Sequence, residues 1–182
     1  SVRKIDPSTG TEVWSFTGHT SYVRALAFGS DGYLYSSSDD KTVKKIDSVT
    51  GTEVSILYNV IYINSLAFGL DGYLYLGTSY RKVIKIDPIT GIIIWEFEGP
   101  QYGINALAYG LDGYLYAGGF NNVIKKIDPA TGIEVWTFTG HTDTVRALAY
   151  GSDGYLYSGS GDRTVKKIDP ATGIEVWTFT GH

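Results

Sequence analysis

Residues 166–182 spell KKIDPATGIEVWTFTGH, and residues 125–141 spell the same seventeen letters. The copy belongs to a period that runs through all 182 residues. Asp6, Asp47, Asp87, Asp128 and Asp169 each follow an isoleucine, at spacings of 41, 40, 41 and 41. Asp31, Asp71, Asp112 and Asp153 each precede Gly-Tyr-Leu-Tyr, at spacings of 40, 41 and 41. A module of this length cannot bury its apolar faces alone, so the chain must fold as an array of like modules in mutual contact.

Within one module the apolar pattern predicts four strands. In the last, Val145–Tyr150 is a nearly continuous apolar run, as expected of a strand covered on both faces. Ser152-Asp153-Gly154 supplies a hairpin turn, because Asp-Gly tolerates positive φ. Tyr155–Ser160 is a second strand, and Gly161-Asp162-Arg163 a second turn. Thr164–Ile168 mixes apolar residues with lysine, as a half-exposed strand does. Asp169-Pro170-Ala171-Thr172-Gly173 is a third turn, and Glu175–Phe179 a fourth strand carrying Trp177. No segment carries the spacing of an amphipathic helix. The fold class is therefore all-β, a β-propeller of four-stranded antiparallel blades of about 41 residues. The single array divides into 1–18 (the outer strands of a half-blade), 19–58, 59–99, 100–140 and 141–182.

Composition narrows the functions open to such an array. A formal charge of −4, with lysines single or paired, argues against a nucleic-acid surface. No stretch approaches the eighteen apolar residues of a membrane helix. The absence of cysteine removes disulfides, thiolate nucleophiles and soft metal sites. The chain opens at Ser1 without an apolar leader, so a signal peptide is missing or already removed, and the compartment is not readable.

The letters also resemble two propeller families. Gly140-His141, Ser152-Asp153-Gly154 and Ser160-Gly161-Asp162 are similar to WD40 repeats, although Ile168-Asp169 stands where those repeats close their third strand with Trp-Asp. Asp169, Thr172, Gly173 and Trp177 resemble the tryptophan-docking repeat of quinoprotein-like propellers. The WD40 resemblance implies a hydrogen-bonded network inside the blade. Carried over, one set is His19, Ser38 and Asp40, and the other is His141, Ser160 and Asp162. The units support the pairing: the His position reads His19, Asn59, Pro100 and His141, while the Asp position reads Asp40, Tyr80, Asn121 and Asp162. Histidine and aspartate come and go together, as partners would.

Nothing in the pattern argues for catalysis. The three histidines (19, 141 and 182) occupy one repeat position in different blades and do not converge. The Asp-Gly pairs are explained as turns and lack EF-hand spacing. The Gly/Ser stretch at 158–161 lacks the Gly-Lys-Ser/Thr of a phosphate loop. Quinone-dependent relatives carry adjacent cysteines or acidic calcium ligands, for which this chain has no counterpart. Trp14, Trp95, Trp136 and Trp177 are expected to pack outer strands together. No cofactor is expected.

Binding is expected at the ring face. The second position of the first strand, Arg24, Asn64, Asn105 and Arg146, is the one strongly polar place in an apolar run. The preceding loops add Tyr22, Tyr62, Tyr102 and Asp143, a recipe that suits a peptide or a glycan. Solvated channel lining explains the same residues equally well.

Closure is the remaining problem. Residues 23–180 supply four complete blades, and 2–16 only the outer pair of another. The family resemblance implies roughly six to eight blades per ring. A second copy would make eight around a two-fold axis, with one chain's N-terminal hairpin replacing the other's C-terminal pair. The reading is thus a non-enzymatic scaffold that completes its ring by oligomerisation. The alternatives are a lectin-like propeller, a degenerate quinoprotein, a recently amplified or engineered repeat protein, and a piece of a longer array.

Overall fold

The computed structural model describes residues 1–59, 61–99, 103–119 and 121–181. All regular structure in them is strand. A two-stranded hairpin, β1 (Val2–Ile5) and β2 (Glu12–Phe16), precedes four antiparallel sheets. The first sheet holds β3 (Val23–Phe28), β4 (Tyr33–Ser38), β5 (Thr42–Asp47) and β6 (Glu53–Asn59). The second holds β7 (Ile63–Phe68), β8 (Leu74–Thr78), β9 (Lys82–Ile86) and β10 (Ile93–Glu98). The third holds β11 (Ile104–Tyr109), β12 (Leu115–Gly119), β13 (Ile124–Ile127) and β14 (Glu134–Phe138). The last holds β15 (Val145–Tyr150), β16 (Leu156–Ser160), β17 (Val165–Ile168) and β18 (Glu175–Phe179). Strands follow chain order within each sheet, and β3, β7, β11 and β15 contact in series along the inner side. The ring they begin is open.

Burial follows the layering. Every residue of β8 and of β12 is buried, because these strands are covered on both faces. Tyr75 and Tyr116, the second residue of each, are fully buried. Each tyrosine ring lies between its own sheet's tryptophan and the next sheet's aromatic: Tyr75 is 5.8 Å from Trp95 and 5.6 Å from Tyr109, and Tyr116 is 5.8 Å from both Trp136 and Tyr150. These are favourable offset or tilted separations. Gly77 and Gly118 make the close approach possible. A Cβ at Gly118 would stand 2.6 Å from Val145 Cγ1, and one at Gly77 would stand 2.8 Å from Ile104 Cγ2.

The outer strands join neighbouring sheets through one recurring acceptor. Lys85 Nζ donates to the carbonyl of Pro129 at 2.7 Å, and Trp95 Nε1 donates to the same oxygen at 3.0 Å. Lys126 and Trp136 do the same to Pro170, at 2.8 and 3.1 Å, and Lys4 and Trp14 to Ser48, at 3.0 and 3.2 Å. The indoles lie against the Thr-Gly turn of the next sheet, where a Cβ on Gly132 would stand 3.0 Å from Trp95 and one on Gly173 would stand 2.9 Å from Trp136. Gly132 and Gly173 also adopt φ of 73° and 71°, the left-handed region that glycine enters without cost. Trp14, Trp95 and Trp136 therefore dock on the neighbouring sheet, beyond the strand packing expected from sequence.

One seam differs. Ser55 replaces the tryptophan of the first sheet, and its unit is 40 residues long, not 41. The β5–β6 pairing also carries an extra register shift between Val43 and Lys44, where Leu57 bulges out of β6. Lys45 still reaches the Pro88 carbonyl, at 3.4 Å.

The Gly118 contact can be tested directly. Gly118→Ala should lower stability by about 1–3 kcal/mol, the usual cost of overpacking. Chemical denaturation will measure it, and an unchanged midpoint would contradict the intersheet packing described here.

Candidate functional site

Two buried networks occupy equivalent places in the first and last sheets. His19 Nδ1 lies 2.8 Å from Asp40 Oδ2, and His19 Nε2 lies 2.7 Å from Ser36 Oγ. Thr42 Oγ1 donates to Asp40 Oδ1 at 2.6 Å. The second copy has His141 Nδ1 at 2.7 Å from Asp162 Oδ2, His141 Nε2 at 2.8 Å from Ser158 Oγ, and Thr164 Oγ1 donating to Asp162 Oδ1 at 2.6 Å. An ionised carboxylate only accepts, so Nδ1 carries the proton that faces it.

This geometry corrects the sequence expectation in one respect. The serine against the imidazole is Ser36 or Ser158, not Ser38 or Ser160. Ser38 and Ser160 lie two residues before the aspartates and cap the turn instead, each hydroxyl accepting the Asp40 or Asp162 backbone N–H at 3.1 Å. That local bond holds them at the turn. Ser36 and Ser158 sit two residues deeper along the same strand face, within reach of the ring. Sequence inspection also missed Thr42 and Thr164, although the signal was present. The serine position reads Ser36, Leu76, Ala117 and Ser158, and the threonine position reads Thr42, Lys82, Val123 and Thr164. All four members of the network are present together in two units and absent together from the other two. His182 lies outside the described residues.

The bonding order serine, histidine, aspartate is that of a nucleophilic triad. Access decides against that chemistry here. The histidine side chains are 1% and 0% exposed, and Ser36 and Ser158 are 0% and 1% exposed, so no acyl carbon can approach the hydroxyls. The network acts as a clip instead, tying the loop at 19–20 or 141–142 to the turn after β4 or β16. The Thr20 and Thr142 backbone N–H groups complete it by donating to the same carboxylates at 3.0 Å.

A second polar constellation recurs in each of the four-stranded sheets. Tyr35, Tyr75, Tyr116 and Tyr157 each donate their hydroxyl to Asp31, Asp71, Asp112 and Asp153, at 2.5–2.6 Å. Lys45, Lys85, Lys126 and Lys167 donate to the same carboxylate oxygens at 2.9–3.0 Å. Each ammonium also stands over a tyrosine face, that of Tyr33, Tyr73, Tyr114 or Tyr155, 3.9–4.1 Å from the centroid. Hydrogen bonds from Tyr157 and Lys167 hold the Asp153 carboxyl down at about 2. Burial pushes the Tyr35, Tyr75 and Tyr116 hydroxyls well above their ordinary range, and the adjacent aspartates push them further.

Of the expected ring-face residues that the structure describes, most are engaged with neighbouring groups. Arg24 grips Asp39 through Nε at 2.7 Å and Nη2 at 2.5 Å. Asn64 accepts from Ser79 Oγ at 3.0 Å and donates to the Ile104 carbonyl at 3.1 Å. A Cβ on Gly161 would touch both Asp143 and Arg146, which places those two side chains together. Tyr62 lies under Lys41 Nζ, 5.3 Å from its ring centroid. Asn105 is half-buried. Tyr22 stands out into solvent, 77% exposed. Tyr102 lies outside the described residues. No group of three His, Cys, Asp or Glu among the described residues could hold a metal ion.

Comparison with known proteins agrees with this architecture. The family described as WD domain, G-beta repeat, matches residues 10–47, and the family described as outer membrane protein assembly factor BamB matches residues 120–181. No curated protein matches the chain. The solved structure of U3-55K superposes with a TM-score of 0.84 over 92% of this chain and 54% of its own, at 21% identity. The chain thus spans about half the length of that structure, and at this identity the likeness concerns the fold. Matches extend to 1393 solved chains, and a shape so widely used specifies no single activity.

The clips should make the fold acid-sensitive. Burial alone would raise the Asp40 and Asp162 carboxyls, but bonds from Thr42 or Thr164, the imidazole and backbone N–H groups hold both far below the usual carboxylate range. A depressed folded-state pKa stabilises the fold above the unfolded value, about 3.9, and that stabilisation is lost as pH falls toward the folded value. Melting temperature should therefore drop steadily below about pH 4. An Asp40→Asn, Asp162→Asn double variant should melt lower at neutral pH and show a flatter acid limb. An unaltered acid limb in the double variant would remove the clips as its cause.

Proposed function

We propose that this array of WD40-like propeller repeats with quinoprotein-like features is a non-enzymatic interaction scaffold whose open ends are closed by a second copy of itself. The observation that carries the reading is the contrast between the two end faces and their interior counterparts. Leu26 and Phe28 are 50% and 64% exposed, whereas Leu66 and Leu107, at the position of Leu26, are 7% and 9% exposed. At the other end Trp177 is 42% exposed, while Trp95 and Trp136 are half-buried on a neighbouring turn. Gly159 shows the same shaping. Gly77 and Gly118 make room for a neighbour, yet a Cβ at Gly159 would meet only Ala147, at 3.8 Å. Both ends are cut for another blade, and apolar patches of this kind recruit partners.

A peptide or glycan at the ring face is a second reading, favoured by the exposure of Tyr22 beside the Arg24–Asp39 pair. The two readings are compatible, since a closed ring holds those loops in fixed relation.

Light scattering on the 182-residue chain tests the scaffold reading. Two chains per particle are expected, and Gly159→Val should leave one chain with unchanged β-sheet circular dichroism. A wild-type chain that remains single up to its solubility limit, or a Gly159→Val chain that still pairs, would overturn it.

A further inference from the structure

The open end at β1 contains a groove of about 450 Å³, lined by Val2, Lys4, Trp14, Leu26, Phe28 and Leu34 among others. What it lacks can be named from the repeats themselves. Trp95, Trp136 and Trp177 each face a tyrosine of their own sheet, Tyr75, Tyr116 and Tyr157. The rings at the position of Phe28 likewise pack on a tyrosine: Phe68 on Tyr35, Tyr109 on Tyr75 and Tyr150 on Tyr116. In the interior one tyrosine serves both roles at once. Trp14 and Phe28 line the two sides of the groove, and among the described residues neither has a tyrosine against it. Lys4 repeats the pattern. Its Nζ reaches the Ser48 carbonyl, but among the described residues it meets no counterpart of the aspartate that each corresponding lysine also engages. Among the described residues β1 pairs with β2 alone, whereas β5, β9, β13 and β17 pair on both sides, so there one edge of β1 carries unmatched backbone groups.

The geometry points to one occupant: the inner hairpin β15–β16 of a second copy, docked against the free edge of β1 to form a composite blade. This rests on the self-association reading and specifies its contacts. β15–β16 brings Tyr157 for Trp14 and Phe28, and Asp153 for Lys4. It is also the hairpin whose outward face is uncovered, so docking displaces no neighbouring sheet. Register follows from the pairing in the last sheet, where Tyr157 opposes Lys167 and Ser158 opposes Lys166. In the composite, Tyr157 opposes Lys4 and Ser158 opposes Arg3. The β17–β18 pair of the donating copy is released, and the β1–β2 pair of the receiver takes its place. The exchanged strands are almost the same text, VRKI and EVWSF for VKKI and EVWTF, so the exchange costs little and gains the burial of Trp14, Leu26 and Phe28. Two-fold symmetry lets each copy give one hairpin and receive one.

The chain has no cysteine, so a cross-link can be assigned without ambiguity. An Arg3→Cys, Ser158→Cys double variant should form a disulfide-linked dimer under mild oxidation, and neither single variant should. Opposed Cα atoms in an antiparallel pair stand about 4.5–5.5 Å apart, within disulfide range. In the unmodified chain, the edge amides of Val2–Ile5 should exchange about tenfold more slowly at concentrations where pairs form. That measurement decides the matter if the double variant fails to fold. Pairs that form by mass, with no cross-link and with β1 exchange independent of concentration, would overturn the hairpin docking and leave the scaffold reading standing. A chain that never pairs would overturn both.

Discussion

Everything in this fold hangs on one carbonyl per four-stranded sheet, that of Ser48, Pro88, Pro129 or Pro170 at the first turn position after the recurring aspartate. Each lies on the turn between third and fourth strands and accepts donors from the preceding sheet. A lysine and an indole reaching the same oxygen fix both the distance and the angle between blades. Lys45, Lys85 and Lys126 are buried, so their charge must be matched, and the aspartate of the same sheet does this at about 3 Å. The tyrosine on that aspartate completes the chain of contacts from the inner core to the outer rim. Burial of apolar surface drives the sheets together, and these polar contacts decide how they meet.

The histidine clips play a different part. They belong to two sheets of four, and the other two manage without them. In the second sheet Thr78 steadies the corresponding turn, its hydroxyl accepting the Tyr80 and Lys82 backbone N–H groups at 3.2 and 2.9 Å. The clip is therefore an added reinforcement of the loop before the first strand, and the blade architecture does not require it. Its loss in the middle units accompanies replacement of the whole set, because a stranded aspartate in that position would be a buried, unsatisfied charge.

How far the letters revealed this depends on range. Strands and turns were legible because their causes are local: alternation, continuous apolar runs and Asp-Gly or Thr-Gly at positive φ. The His–Asp partnership was legible from its joint appearance in two units. The choice between Ser36 and Ser38 was not, since both lie on one strand face and only the three-dimensional reach of His19 separates them. The docking of tryptophan was signalled only by the resemblance to a tryptophan-docking repeat, and the neighbour it would meet was not. A sequence shows that Trp136 and Gly173 recur, but the direction in which the indole leans is set by how two sheets pack. Lys126 carried the clearest neglected signal: its equivalents, like those of Tyr116 and Asp112, hold one register in every unit, as residues bearing a shared structural load would.

Ser55 gives the array a grain. Where the other seams hold lysine and indole on one oxygen, the seam between the first and second full sheets holds lysine alone, at 3.4 Å. Under mechanical load such a row of modules does not fail everywhere at once, because rupture begins where the fewest bonds share the force. The missing indole thus marks the place at which a pulled or heated array would first come apart, and it gives the row of sheets a built-in fracture line.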